Sequence, residues 1–479
     1  MPNWACKKKL YALRPQAGPT AQVQTQRTVL QRRPEASDPQ SLERGVRQLL
    51  ADKVSGTLVG LWLLVPEHLR LGTWDLLRTW SGQITAQVEP RLALQLVHEA
   101  ALCVTGIRQG RGLSQRGFEL ANGLPFVAAD TAIHALLEAH TVAQARTLQL
   151  ALGLLRRARH HFAGRLLAID PHRVRSWSQR QMRRHRSQHH QEATSHKMAQ
   201  TFFVLDADTR QPVCLTTGTA SRTVTQATPE LLDLTAAILQ PGTGAQPSAL
   251  VLADGEHFSA PLVDHLRQRH GLELLVPMPN RASLRRELEA WPAERFVPQW
   301  PGFATAKVAL PPGSSSRPLY QLVQRSGEIP SQYDYKSFLS TVAQEEVLTL
   351  TRDFPARWHI EEFFDMHQAL GWQRAGTLNL NVRYGQMSLA LVAQGVLHQL
   401  RQRLGAPFAQ WEAPTLAKGL LNGLDGDLRV HGNTIVVTFY NAPETLRPHY
   451  EGLPAKLQAE GIDPHIPWLY NFQLDFRFK

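Results

Sequence analysis

The sequence predicts an α/β protein in which a mixed sheet carries a β-rich insertion and follows an α-helical N-terminal domain. Three changes of pattern along the chain lead there. Residues 1–40 are rich in Gln, Arg, Pro and Ala with no apolar period, and read as a basic disordered tail. From Ser41 to about His160 apolar residues recur at helical spacing, as in Leu42, Val46, Leu49 and Leu50 and again in Leu92, Leu94, Leu96, Val97 and Ala101, with no alternating signal between them. From about Gly164 short apolar runs bounded by turns replace that period.

Within the helical part, Leu113 to Gly123 reads as a helix with Ser114 near its start and Gly123 at its end. After a short turn, Asp130 caps a second helix over Thr131 to Leu137. Two short helices joined by a glycine-bearing turn suggest helix-turn-helix DNA binding. An ordinary helical hairpin burying Phe118, Leu120, Ile133 and Leu136 fits the same pattern.

Three strands come next, Arg165 to Val174, Gln200 to Leu205 and Gln211 to Thr217, the last two joined at Asp206-Ala-Asp-Thr209. A helix over Pro229 to Leu239 follows, with Pro in its first turn and Pro-Gly beyond its end. A Gly/Pro linker leads to a fourth strand, Ala249 to Ala253, then a helix at about Ala260 to His270 and a fifth strand, Leu272 to Pro277. Residues 291–340, rich in Pro and Gly with strand-like fragments at Thr305 to Leu310 and Tyr320 to Val323, read as the β-rich insertion. A helical segment and the well-buried helix Ser388 to Leu397 resume the core, and Leu428 to Thr438 reads as a hairpin turning at Gly432-Asn433. The expected organisation is a tail at 1–40, a helical domain with a DNA-binding reading at 41–160, a catalytic domain at 161–290 and 341–405 interrupted by the insertion at 291–340, and an α+β region at 406–479.

Size and charge narrow the function. At 479 residues the chain is long enough for about three domains. Its 52 Lys and Arg against 40 Asp and Glu leave a net charge of +12, which favours a polyanionic partner. A membrane is the weaker choice, because runs such as Leu58 to Val65 fall far short of the roughly 20 apolar residues of a spanning helix. Lys7-Lys8-Lys9 is followed by no signal-peptide pattern, so the expected location is the cytoplasm, in association with the nucleoid. Cys6, Cys103 and Cys214 are odd in number and far apart, which argues for reduced thiols rather than a disulfide framework or a metal clamp.

Three acids carry the chemistry. Asp254 follows the apolar run Ala249 to Ala253 at the end of a buried strand, Asp170 closes Arg165 to Ile169, and Glu361 lies within Arg357-Trp-His-Ile-Glu361-Glu-Phe-Phe364. Singly, each has an ordinary explanation as a strand-end turn or a solvated helix face. Together they fall in the order of an RNase H-like domain: three antiparallel strands, a helix, a parallel strand ending in Asp, a helix, a further strand and a late helix with Glu. Asp206 and Asp208 compete for the first position, but either would require two more strands before the helix at Pro229, where the sequence offers one. Counting from Asp170 gives the required number and makes Asp206 and Asp208 turn residues.

With these residues the chain resembles the DDE transposases of bacterial insertion sequences, the cut-and-paste group with a β-strand insertion before the catalytic Glu. The resemblance covers about residues 164 to 405. The group's Y-x2-R-x3-E-x6-K signature falls on Phe354, Arg357, Glu361 and Gln368, with Phe in place of Tyr and Gln in place of Lys. Arg357 keeps the spacing that selects Glu361 over the neighbouring Glu362. The resemblance implies that Asp170, Asp254 and Glu361 are the catalytic and metal-binding residues. Asp170 would bridge two Mg2+ ions, Mn2+ being an alternative, and Asp254 and Glu361 would each complete one site. Carboxylates suit such hard cations, and two ions would activate the attacking water or 3′-hydroxyl and stabilise the leaving oxygen. It also implies double-stranded DNA, both element ends and target, as partner, and a homodimer in the synaptic complex.

Arg173, Arg175, Arg180, Arg183, Arg184 and Arg186 follow Asp170 closely, with Trp177 and His172, His185, His189 and His190 among them. Arg173, Arg175, Arg183, Arg184 and Arg186, with Arg357, are the expected DNA-binding residues, although a solvated hairpin loop fits the basic run too. Zinc is disfavoured there by the absence of paired cysteines and H-x3-H spacing. Trp291 and Trp300 read either as base-stacking residues or as core. The function expected is a transposase that cuts and joins DNA. The alternatives are an RNase H-fold nuclease without strand transfer and a non-catalytic DNA-binding protein.

Overall fold

The computed structural model describes residues 39–56, 58–82, 88–104, 116–176, 184–186, 195–218, 222–243, 248–268, 271–311, 318–343, 345–372 and 379–479. Residues 1–38 of the expected tail, Trp177, Arg180, Arg183, His189 and His190 lie outside them, and residues 39 and 40 are helical rather than tail.

The first strand, β1 (Val54–Gly56), belongs to a small sheet near the chain termini. The next ten make the central sheet: β2 (Leu166–Arg175), β3 (Arg184–Arg186), β4 (Ser195–Asp206), β5 (Gln211–Thr217), β6 (Ala249–Ala253), β7 (Leu272–Pro277), β8 (Val297–Trp300), β9 (Phe303–Leu310), β10 (Leu319–Ser326) and β11 (Asp334–Ser340). β5 pairs with β4 and β4 with β2, both antiparallel, whereas β2, β6 and β7 run parallel. That spatial order, β5-β4-β2-β6-β7, is the RNase H-like arrangement. β6 is buried along its whole length, as expected of a parallel strand covered on both faces.

The insertion extends this same sheet. β11 pairs antiparallel with β7, β10 with β11, β9 with β10 and β8 with β9. A small core of Leu288, Phe296, Ala304, Ala306 and Val323 covers it, with Trp291 packed alongside.

The N-terminal helices are α1 (Pro39–Ala51), α2 (Val65–Leu71), α3 (Thr73–Trp80), α4 (Val88–Ala101), α5 (Arg116–Ala121), α6 (Asp130–Ala139) and α7 (Val142–Ala158). Phe118, Leu120 and Leu136 of the expected helical pair are buried. Asp130 is not the cap of its helix: Ala129 holds that position and Asp130 opens the helix, adding negative charge to its first turn. The helical region also contains β1, whose three residues are too few to show a period. Its partner is β12 (Gly426–His431), far along the chain. β12 forms the expected hairpin with β13 (Thr434–Phe439), turning at Gly432 in the left-handed region, and β14 (His465–Ile466) and β15 (Phe472–Phe478) complete that sheet.

Between β5 and β6, α8 spans Val224–Leu239 and starts before the expected Pro229. A reciprocal capping box between Thr223 and Gln226 fixes the earlier start, and Pro229 lies inside the helix. α8 and α9 (Ala260–Gln268) bury one face of the sheet through Leu231, Ile238, Leu262 and Leu266. α10 (Ala282–Glu289) precedes the insertion strands, and after β11 a run of short helical turns from Glu346 to Trp358 leads into α11 (His359–His367) and the buried α12 (Leu380–Leu404). α12 lies against the opposite face: its Tyr384 hydroxyl donates to the Thr217 carbonyl at 2.6 Å and accepts from the Thr217 amide, and Arg383 donates to the Gln200 carbonyl at 2.8 Å. No helix among the described residues is long and apolar enough to cross a membrane.

One apolar core joins the N-terminal helices, α12, one face of the central sheet and the terminal sheet. Gly123 marks a close approach within it. Its φ of +67° lies in the left-handed region, and a Cβ there would stand 2.1 Å from the carbonyl oxygen of Trp468. Substitution Gly123→Ala is therefore expected to destabilise the fold by more than about 1 kcal/mol, measured as a lower denaturation midpoint with unchanged slope.

Candidate metal centre at the end of the central sheet

Register brings the first two acids together. The parallel pairing of β2 with β6 ends at Ile169 opposite Ala253, so Asp170 and Asp254 are the next residues on two adjacent strands. Neighbouring strands lie about 4.8 Å apart, which is close enough for two carboxylates to share a cation. β2 itself continues past Asp170 to Arg175 along β4, so Asp170 lies within the strand at the point where β6 leaves it. Asp254 turns the chain, accepting the Glu256 amide at 2.9 Å and capping the short turn Gly255–His257.

A third group joins them. Ligand atoms of Asp170, Asp254 and His257 all lie within 4.8 Å of one another. His257 is 1% exposed, and its Nε2, 3.9 Å from Asp254 Oδ1, has no hydrogen-bond partner among the described residues. His257 is not among the site residues expected from the sequence; its spacing of three from Asp254 is the one signal for it there.

Glu361 stands outside this group, on α11. Its carboxylate accepts from Arg357 Nη2 at 2.9 Å, an i,i+4 pair that joins the helical turn before α11 to α11 itself. α11 is set by its aromatic face: Phe363 and Phe364 pack on Phe203 of β4 and on Trp372, with His172 of β2 4.6 Å from Phe364. Glu361 acts on Asp170 through its charge. Its neighbour Glu362 pairs instead with Arg210, at 3.4 Å.

Burial, and then the nearby Asp254 carboxylate, push Asp170 up to about 8, while the Arg357 and Arg173 guanidinium groups act the other way. Asp254 is raised mainly by burial and by Glu256. Burial, reinforced by Arg173 and Arg357, lowers His257 to about 3, so its imidazole is neutral. Two carboxylates that are both raised, Asp170 in part by Asp254, beside a neutral imidazole with a free lone pair suit a divalent cation, whose charge would relieve the repulsion.

The expected DNA-binding arginines are placed unequally. Arg173 pairs with Glu256 and donates to Gln200, beside the acids. Arg175, Arg184 and Arg186 lie on β2 and β3, and Arg183 is outside the described residues. Asp206 is buried and accepts the Gly164 amide at 2.6 Å and both the amide and hydroxyl of Thr209, which is the work of a turn residue. Trp291 packs against Phe296, whereas Trp300 is 49% exposed and stacked on Phe303 with ring centroids 4.2 Å apart. A cleft of about 450 Å³ opens there between Trp300, Phe303, Arg325 and Tyr333, and none of the acids lines it.

Residues 161–394 match the family model described as "Transposase DDE domain". This segment is a transposase DDE domain. A DDE domain implies metal-dependent DNA cleavage and strand transfer, and the family uses divalent ions. One similar solved structure is the "Cryo-EM structure of piggyBac transposase synaptic complex with hairpin DNA", at 12% identity and a TM-score of 0.39, covering 77% of this chain and 82% of that one. No curated protein matches the chain.

The raised Asp170 gives the DDE domain a pH signature. Unfolded, this carboxyl titrates near the ordinary 3.8; folded and metal-free it titrates near 8, so between those values the native state holds the extra proton. Native stability from this group therefore falls as pH rises through that window, and metal binding, which releases the proton, strengthens. The rise in melting temperature caused by Mn2+ is expected to grow from pH 6 to pH 8.5 and to lose that growth in Asp170→Asn, as read by thermal unfolding.

Proposed function

We propose that this protein is a transposase that binds the ends of its own element, cleaves the flanking phosphodiester bonds and joins the freed 3′-ends to target DNA, with Asp170, Asp254 and Glu361 as the catalytic acids. The observation that carries the reading is the side-by-side placement of Asp170 and Asp254 at the end of the parallel pair, within a DDE domain. Asp170, central in the arrangement, would bridge two Mg2+ or Mn2+ ions. Asp254 would hold one, and Glu361, released from Arg357, the other.

Bound ions would supply charge neutralisation and an activated oxygen nucleophile. The chain's own part is positional. Glu361 on α11 acts on Asp170 through its charge, and Arg357, which acts on both strand-end acids, is suited to a phosphate once DNA displaces its bond to Glu361. Arg173, Arg175, Arg183, Arg184 and Arg186 would grip the DNA backbone beside the cut, in keeping with the net charge of +12. Two element ends processed together favour a homodimer.

Cleavage of a supercoiled plasmid bearing the element's ends, assayed with Mg2+ or Mn2+, tests the acids. Asp170→Asn, Asp254→Ala and Glu361→Gln are each expected to lose more than about 100-fold in rate, beyond the loss usual for a residue that only supports a metal ligand. Asp206→Asn is expected to lower the melting temperature while leaving the rate per folded molecule near wild type. Equal activity of wild type and Asp254→Ala would refute the assignment. Joining of a pre-cut end to target DNA separates strand transfer from hydrolysis alone.

A further inference from the structure

The DDE signature holds only carboxylates, yet the side chain grouped with Asp170 and Asp254 is an imidazole. His257 follows Asp254 by three residues, at the end of the turn that Asp254 caps. Its Nδ1 lies 3.1 Å from the hydroxyl of Thr228 on α8. That hydroxyl sits 2.7 Å from the Val224 carbonyl, to which it donates its one proton. Toward the imidazole it therefore accepts, which places the proton on Nδ1 and leaves the lone pair on Nε2. Nε2 is buried, without a hydrogen-bond partner among the described residues, and it is the ring nitrogen nearest Asp254.

An unpartnered acceptor costs roughly 1–3 kcal/mol when buried, so its retention beside two acids needs a compensating ligand. An orienting hydrogen bond on one ring nitrogen with the other free is the arrangement by which proteins hold metal-binding histidines. Spacing agrees. An octahedral ion with bonds of about 2.1 Å spans about 4.2 Å between opposite ligands, so donors within 4.8 Å close on it by roughly 0.6 Å at their widest.

We propose that His257 Nε2 is a third protein ligand to the ion held by Asp170 and Asp254, making this an N/O site that prefers Mn2+ over Mg2+. The inference rests on the assignment of Asp170 and Asp254 as metal ligands. Imidazole is a better partner for later first-row ions than for Mg2+, whereas an all-oxygen set does not discriminate in that direction. With His257 on this ion, Glu361, held apart by Arg357, is left for the second.

Pulsed EPR of Mn2+ bound to the full-length chain, without DNA, reads the ligand directly. Wild type is expected to show a 14N coupling from a coordinated imidazole. His257→Gln and His257→Phe are expected to abolish it and to weaken Mn2+ binding by about 10-fold or more, with Mg2+ binding changed less in the Gln variant. Thr228→Val, which leaves the imidazole in place but removes its anchor, is expected to weaken Mn2+ binding while keeping the 14N signal, and so separates ligation from a folding defect. Mn2+ that binds in an Asp170- and Asp254-dependent way with no 14N coupling, or a coupling that persists in both His257 variants, overturns the proposal. Mn2+ binding that is indifferent to Asp170→Asn and Asp254→Ala would instead overturn the underlying acid assignment.

Discussion

The parallel pairing of β2 with β6 is the constraint on which the site depends. Four register pairs from Leu166–Leu250 to Ile169–Ala253 are fixed by burial on both faces, because a slip of one residue would turn apolar side chains of both strands from one packed layer to the other. Once those pairs are set, Asp170 and Asp254 have no freedom to stand apart. The apolar strands thus supply the force that holds two like charges together, and the site inherits its geometry from the core.

That closeness has an electrostatic cost which the surroundings offset in part. Arg173 reaches the site from β2 and Arg357 from the helical run before α11, and both act on both acids. Each is also engaged elsewhere, Arg173 with Glu256 and Arg357 with Glu361. Neither is therefore free to neutralise the acids fully, and the burial-driven rise of Asp170 persists. A centre balanced in this way keeps acidic groups that its own arginines leave only partly neutralised.

Legibility in the sequence tracked the range of the interaction. Uninterrupted apolar runs gave β5, β6 and β7 nearly to the residue, because a buried strand needs nothing beyond its own side chains to announce itself. Counting strands separated Asp170 from Asp206, and the buried turn network around Asp206 has the form that count implied. Other features depend on distant partners. β1 is a strand only because β12 lies beside it, and its own three residues show no pattern. The start of α8 was misplaced because Pro229 is a stronger textual mark than the capping pair Thr223 and Gln226, which sets the start physically. Nothing local beyond its spacing from Asp254 marks His257, since the residue that orients it, Thr228, comes from the preceding helix.

The insertion is better understood from its place in the sheet than from its composition. Chain order runs from Asp254 at the end of β6 through β7, across to β8 at the outer edge, and back through β9 and β10 to β11, which pairs with β7 at Phe338 to Ser340. From there the path to Glu361 is short, and it is tied down twice. Thr341 hydrogen-bonds both the amide of Leu274 and the carboxylate of Glu273, and Lys307 of β9 pairs with Glu346 at the start of the helical run. Glu345 then caps that run through the amides of Val347 and Leu348. The strands that carry exposed Trp300 and the helical run that leads to Glu361 are therefore both tied to β7, the neighbour of β6, which leads into Asp254. A shift of the insertion against β7 would have to move through β11 and the Lys307–Glu346 pair before it reached α11, so the sheet constrains the helix that carries Glu361 as well as the strands that lead to Asp170 and Asp254.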